Sequence, residues 1–218
     1  MLSPRLGGVV GFCGPRSLGP AGCAWVSAAA GSLVRSAGAV VVAGCAFGAD
    51  AESLSGALAA GPLVRCVAVG SSAGLGFPAP GVPSVVARVA ALGPGRVAWL
   101  AGGPLAVPLA ARLAARSLAF VRWLASSGGV LVAAVAAPPP RGFGPGPFPR
   151  SGSGSWSSVA AAALLGVPVF AVWLCAGPFP APALPAPGSW APVAGGLFGA
   201  RAWGWAPGFL PGFGPAWG

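Results

Sequence analysis

Three short glycine-bearing segments carry most of the chemistry that this sequence can offer: Gly11–Ser17 (GFCGPRS), Gly44–Asp50 (GCAFGAD) and Ser151–Val159 (SGSGSWSSV). Glycine lets backbone N–H groups approach a ligand closely, and a guanidinium fork matches the oxygens of a phosphate. The first segment offers Gly14 and Arg16. The second offers Gly48 for a tight turn, with Asp50 placed to cap the next helix. The third offers Ser153, Gly154 and Ser155, which open a helix as a phosphate cradle would. Arg112 and Arg116 are four residues apart, so on a helix they share one face. They read as a paired phosphate contact, with a solvated face as the competing reading. Trp156 has the ring to stack on a base, and burial of that ring is the plainer alternative.

The same inventory narrows catalysis. Asp50 and Glu52 are the only acids, and His, Lys, Tyr and Thr are absent. General acid–base work would fall to those two carboxylates or to a cysteine. Five cysteines (Cys13, Cys23, Cys45, Cys66, Cys175) show no CxxC spacing, so they read as small core residues with reduced thiols, in a cytoplasmic setting; neither a metal nor a cofactor is expected. All twelve cations are Arg and the net charge is +10, which favours a nucleotide, a nucleic acid or another anionic surface as partner. A restricted alphabet competes with that reading. Asn, Gln and Ile are missing too, Met occurs only at position 1, and every missing type needs adenine in its first or second codon position. A coding strand nearly free of adenine would exclude the acids that normally balance arginine.

The elements that must carry these turns alternate regularly. Strands are predicted at Leu6–Cys13, Ala39–Cys45, Val64–Gly70, Val97–Leu100, Gly129–Ala136 and Pro168–Trp173. Helices are predicted at Pro20–Ala37, Asp50–Ala60, Ser84–Leu92, Leu105–Ser126 and Ser155–Leu165, with a Gly/Pro loop up to Pro83 and another over Ala137–Gly154. Alternation of this kind implies βαβ units, hence an α/β, Rossmann-like three-layer sandwich with a mainly parallel sheet. In such a sheet, ligands bind beyond the carboxyl ends of the strands, which is where all three glycine turns fall. No signal peptide is expected, because the apolar run after Arg5 is short and broken by Gly and Pro. Ser155–Gly177 is long enough to imitate a membrane span, but Gly166 and Pro168 divide it into a helix and a buried strand, so no membrane partner is expected. The Rossmann-like domain is placed at 1–175. Over 176–218, nine Pro and ten Gly argue for an irregular tail, while four Trp and four Phe make it too apolar to be a free linker. That tail is expected to lie against its own domain or a second copy, the latter giving a homo-oligomer.

The order and spacing of the turns resemble the SLOG superfamily of nucleotide- and nucleic-acid-binding proteins, nearest to the Rossmann core of the DNA-processing protein A family. The likeness covers roughly residues 6–175. It rests on GPRS at Gly14–Ser17, GCAFGAD at Gly44–Asp50, Arg116-Ser117, GSGSW at Gly152–Trp156 and GVPVFAV at Gly166–Val172. The resemblance implies a ligand site built from Gly14, Arg16, Ser17, Gly48, Asp50, Arg112, Arg116, Ser117, Ser153, Gly154 and Ser155. It implies a partner that is single-stranded nucleic acid or a nucleotide, in DNA processing or recombination. Ser117 stands where the family prefers Asn and Ser155 where Thr is common, and neither type exists in this alphabet. The family's winged-helix tail is not recognisable in 176–218. Two alternatives stay open at this point: a nucleotide phosphoribohydrolase-like enzyme, whose characteristic Glu after the glycine turn is lacking here, and a self-assembling structural protein with a vestigial pocket.

Overall fold

The computed structural model describes residues 6, 8–71, 74–78, 82–100, 108–140, 143 and 153–207. The elements run β1 (Val9–Cys13), α1 (Pro20–Ala37), β2 (Val40–Ala43), α2 (Ala49–Ala60), β3 (Val64–Ser71), β4 (Gly74–Pro78), α3 (Val85–Ala90), β5 (Val97–Leu100), α4 (Leu109–Ser126), β6 (Val130–Val135), α5 (Gly154–Leu164), β7 (Val169–Trp173), β8 (Gly188–Pro192) and β9 (Ala202–Pro207). Among the described residues the sheet has nine strands in the order β4-β3-β2-β1-β6-β7-β9-β8, with β5 beside β3. The six strands expected from sequence are all parallel. The fold is thus the expected α/β, Rossmann-like sandwich.

Local chemistry sets the boundaries. Pro20 sits in the first turn of α1, where its missing N–H is not needed, and Gly38 in the left-handed region ends that helix. The core strands are Val-rich and alternate between two layers. Val10 and Phe12 of β1 and Val41 and Ala43 of β2 join Val26, Leu33, Leu54 and Val86 from α1, α2 and α3. Cys13, Val42, Leu131 and Ala133 face the other way, toward Phe120, Leu124 and Val159 of α4 and α5. This period-two partition is what a parallel sheet covered on both faces requires. α1 and α2 approach closely because Gly56 lies against the Ser27 carbonyl, where a side chain would collide.

The segment that imitates a membrane span is α5, a turn through Gly166 and then β7. Among the described residues, no helix is long and apolar enough to cross a membrane.

Two expectations are corrected. The loop leading to Pro83 contains β4, which pairs antiparallel with the end of β3. Its sequence, GLGFP, alternates Gly with Leu75 and Phe77 but is short and sits in a Gly/Pro-rich run, and the strand follows from the neighbouring edge. The tail is not irregular throughout: β9 pairs antiparallel with β7, and β8 with β9. The sheet therefore continues past residue 175. Pro192 closes β8 at the outer edge of the sheet, where a missing N–H is tolerated. Trp190 lies directly opposite Trp205, and such cross-strand aromatic pairs hold a ribbon that propensity alone would not. Phe179 stacks on Trp203 with centroids 4.6 Å apart and meets Trp190 edge-on at 5.1 Å. The rings of Phe179, Trp190, Trp203 and Trp205 thus pack against their own sheet, while Phe198 is exposed; Trp217 lies outside the described residues.

Trp205 is 2% exposed, between β7 and the aromatic cluster. Trp205→Ala is expected to lower the free energy of unfolding in urea by about 3–5 kcal/mol, because a cavity replaces the ring. A loss under about 1 kcal/mol would mean that the tail is not part of the cooperative core.

Candidate anion-binding crevice at the C-terminal edge of the sheet

Strand order reverses at β1: the chain proceeds outward through β2, β3 and β5 on one side and through β6 and β7 on the other. Such a reversal opens a crevice outside the carboxyl ends of the strands. The three glycine turns follow β1, β2 and β6, which are adjacent, so all three meet at this one edge. Ser151 and Gly152 of the third turn lie outside the described residues.

The first two turns interlock. The Ala49 N–H donates to the Pro15 carbonyl at 3.2 Å. Gly48, at φ +73, lies so close to Pro15 and Arg16 that a side chain there would strike their backbone. Gly48 occupies the N-cap of α2, and no side chain caps this helix. The expected cap by Asp50 is corrected: Asp50 is inside the first turn, and its Oδ2 accepts from the Ala46 N–H at 3.2 Å. The same oxygen accepts from Nη1 of Arg116 at 3.1 Å, in a pair whose side chains are each 6% exposed. Arg116 comes from the helical layer on the opposite face of the sheet. It reaches Asp50 over the end of β2 because residue 44 is glycine; a Cβ there would fall within the guanidinium.

Arg112 and Arg116 do share a face, but both are buried, so the solvated-face reading is excluded. Nη2 of Arg112 donates to the Gly70 carbonyl at 2.7 Å. Nε of Arg116 is buried with no hydrogen-bond partner among the described residues. Ser117 donates back to the Leu113 carbonyl at 3.0 Å and is half-buried. Arg16 and Ser17 are exposed at the rim. At α5, Ser153 caps the helix by accepting from the Trp156 N–H, and Ser155 is buried. The Trp156 indole is 1% exposed and donates to the Ala137 carbonyl at 2.9 Å, so burial rather than base stacking describes it.

Three thiols lie beneath the crevice. Burial pushes the pKa of Cys13 far up, with the Asp50 charge adding to the rise. Cys66 donates to the Gly44 carbonyl at 3.3 Å, and Cys45 accepts from the Val69 N–H at 3.4 Å. Burial raises both of these as well. Burial also raises Asp50 above its ordinary value; Arg116, the Ala46 N–H and Arg16 pull against that rise without reversing it. Buried thiols kept protonated are poor nucleophiles. What the arrangement offers is an exposed arginine beside the starts of two helices, over a rigid, ion-paired floor. Sequence reasoning did not single out Gly44 or Phe47. Gly44 could have been found only by knowing that Arg116 passes over it. Phe47 carried a signal, as a large apolar residue in a tight turn with nothing local to bury it.

No protein-family model and no curated protein matches this chain.

The scarcity of acids turns Asp50 into a clean reporter. Its folded pKa lies above the ordinary 3.8, so the folded chain keeps this proton to higher pH than the unfolded chain. Stability should therefore fall as pH rises from about 3.8 toward the raised value and level off beyond it. Asp50→Asn should remove that limb in urea titrations taken between pH 3 and 7. A wild-type stability that rises through the window would contradict the assignment. Thiol labelling gives a second check. In the native chain at pH 8, Cys23 and Cys175 should react with iodoacetamide, while Cys13, Cys45 and Cys66 react only after unfolding.

Proposed function

We propose that this chain binds a phosphate-bearing nucleotide ligand, free or within single-stranded nucleic acid, at the crevice between the turns of β1, β2 and β6. The observation that carries the reading is the gathering of those turns at the strand-order reversal, with Arg16 exposed at the rim. A net charge of +10 favours an anion, and a helix that begins at the rim without a side-chain cap adds its dipole. Arg116 and Asp50 serve as the floor rather than as direct phosphate contacts, and Arg16 is the side chain that meets the ligand. This is the role of a binding module of the DNA-processing protein A type, acting in DNA processing or recombination. Catalysis is not part of the proposal: Asp50 is tied to Arg116, and α5 has no acid in its first turn. Five unpaired thiols suit a reducing compartment such as the cytoplasm.

Fluorescence-anisotropy titration of labelled oligo-dT should give an affinity that falls with salt, with a slope of about −0.7 per phosphate neutralised. Arg16→Ala should weaken binding and make the slope shallower by about 0.7 to 1. Arg35→Ala, in the last turn of α1 at the opposite edge, should change neither. Equal losses from both substitutions would reduce the effect to net charge and remove the site.

A further inference from the structure

Phe47 is the most exposed of the exposed large apolar side chains among the described residues, at 55% of its surface. A lone phenylalanine on a surface would need no explanation. This one is held unusually firmly. On its N-terminal side, Cys45 is buried and accepts the Val69 N–H, and the Ala46 N–H is bonded to Asp50. On its C-terminal side, Gly48 is packed against Pro15 and Arg16. Both flanks are thus fixed, one to the buried ion pair and one to the arginine-bearing turn. The ring is offered to solvent from a rigid frame beside an exposed cation, at the mouth of the crevice. Arg16 is near enough to the crevice floor for its charge to act on Asp50.

We infer that Phe47 is a stacking platform for the base of the bound nucleotide, with the phosphate of that nucleotide at Arg16. The inference rests on the crevice being an anion site, and it narrows the ligand from any phosphate to one carrying a planar aromatic base. A base presents a π-face whatever its identity, so the platform gives affinity without sequence preference. The rest of the site is compatible with that role: Asn and Gln, which read adenine edges, are absent, and Asp50 is engaged by Arg116.

The test uses the full chain and three probes: oligo-dT, dTMP and inorganic tripolyphosphate, which carries charge but no base. Phe47→Ala should weaken oligo-dT binding by roughly 5- to 100-fold and leave tripolyphosphate binding unchanged. Phe47→Trp should restore or tighten oligo-dT binding. Loss of dTMP binding in parallel points to a free nucleotide as a sufficient ligand, and loss with oligo-dT alone points to the polymer; either supports the platform. The inference is overturned if Phe47→Ala leaves oligo-dT affinity intact, or weakens tripolyphosphate equally, which would mean a damaged turn. Wild-type protein that binds tripolyphosphate but neither nucleotide probe overturns the platform while the anion site stands. Failure to bind all three overturns both.

Discussion

A buried ion pair, Arg116 with Asp50, ties the two helical layers together across the C-terminal edge of the sheet. α4 covers one face of the sheet and α2 the other. Side chains from the two layers can meet only where the sheet ends, and only if the intervening backbone gives way. Gly44 provides that opening. The carboxylate then fixes Ala46, the Ala46–Gly48 turn fixes the start of α2, and α2 fixes the turn after β1 through Pro15. A buried pair of this kind adds little net stability over an apolar replacement, but removing one partner leaves an uncompensated charge in the interior, which costs about 3–5 kcal/mol. Its contribution here is positional: the geometry of the crevice rim follows from it.

The sequence announced the fold more completely than the site. Strand and helix identities followed from Val-rich runs alternating with Ala/Leu-rich ones, and α1 and β5 have the same ends in sequence and structure. β4, β8 and β9 were not legible because each is short and interrupted by Gly and Pro, and each forms by pairing with a neighbouring strand rather than by propensity. At the site, the three turns were legible as glycine clusters after strands. The partnership of Arg116 with Asp50 was not, since it joins residues 66 positions apart through an opening that only three-dimensional packing defines. For the same reason Asp50 read as a cap, although its carboxylate is held by the Ala46 N–H and Arg116.

The tail shows how an apolar segment rich in Pro and Gly can still add to a domain. Proline and glycine remove propensity, so the ordering of 179–205 depends on side chains meeting a prepared surface. Phe179 brings Trp173 of β7, Trp190 of β8 and Trp203 of β9 into one cluster. The edge of β7, which would otherwise present unpaired N–H and C=O groups, is covered by a strand of the same chain.

Position 50 also sets a limit on how far the gene can drift. An aspartate codon is read through a central adenine. Replacing that adenine by any other base turns the codon into one for glycine, alanine or valine. None of the three can accept a hydrogen bond through its side chain, and each would leave the guanidinium of Arg116 enclosed with no counter-charge. The layer tie thus rests on one central base, for which no single exchange keeps a side chain able to face the guanidinium.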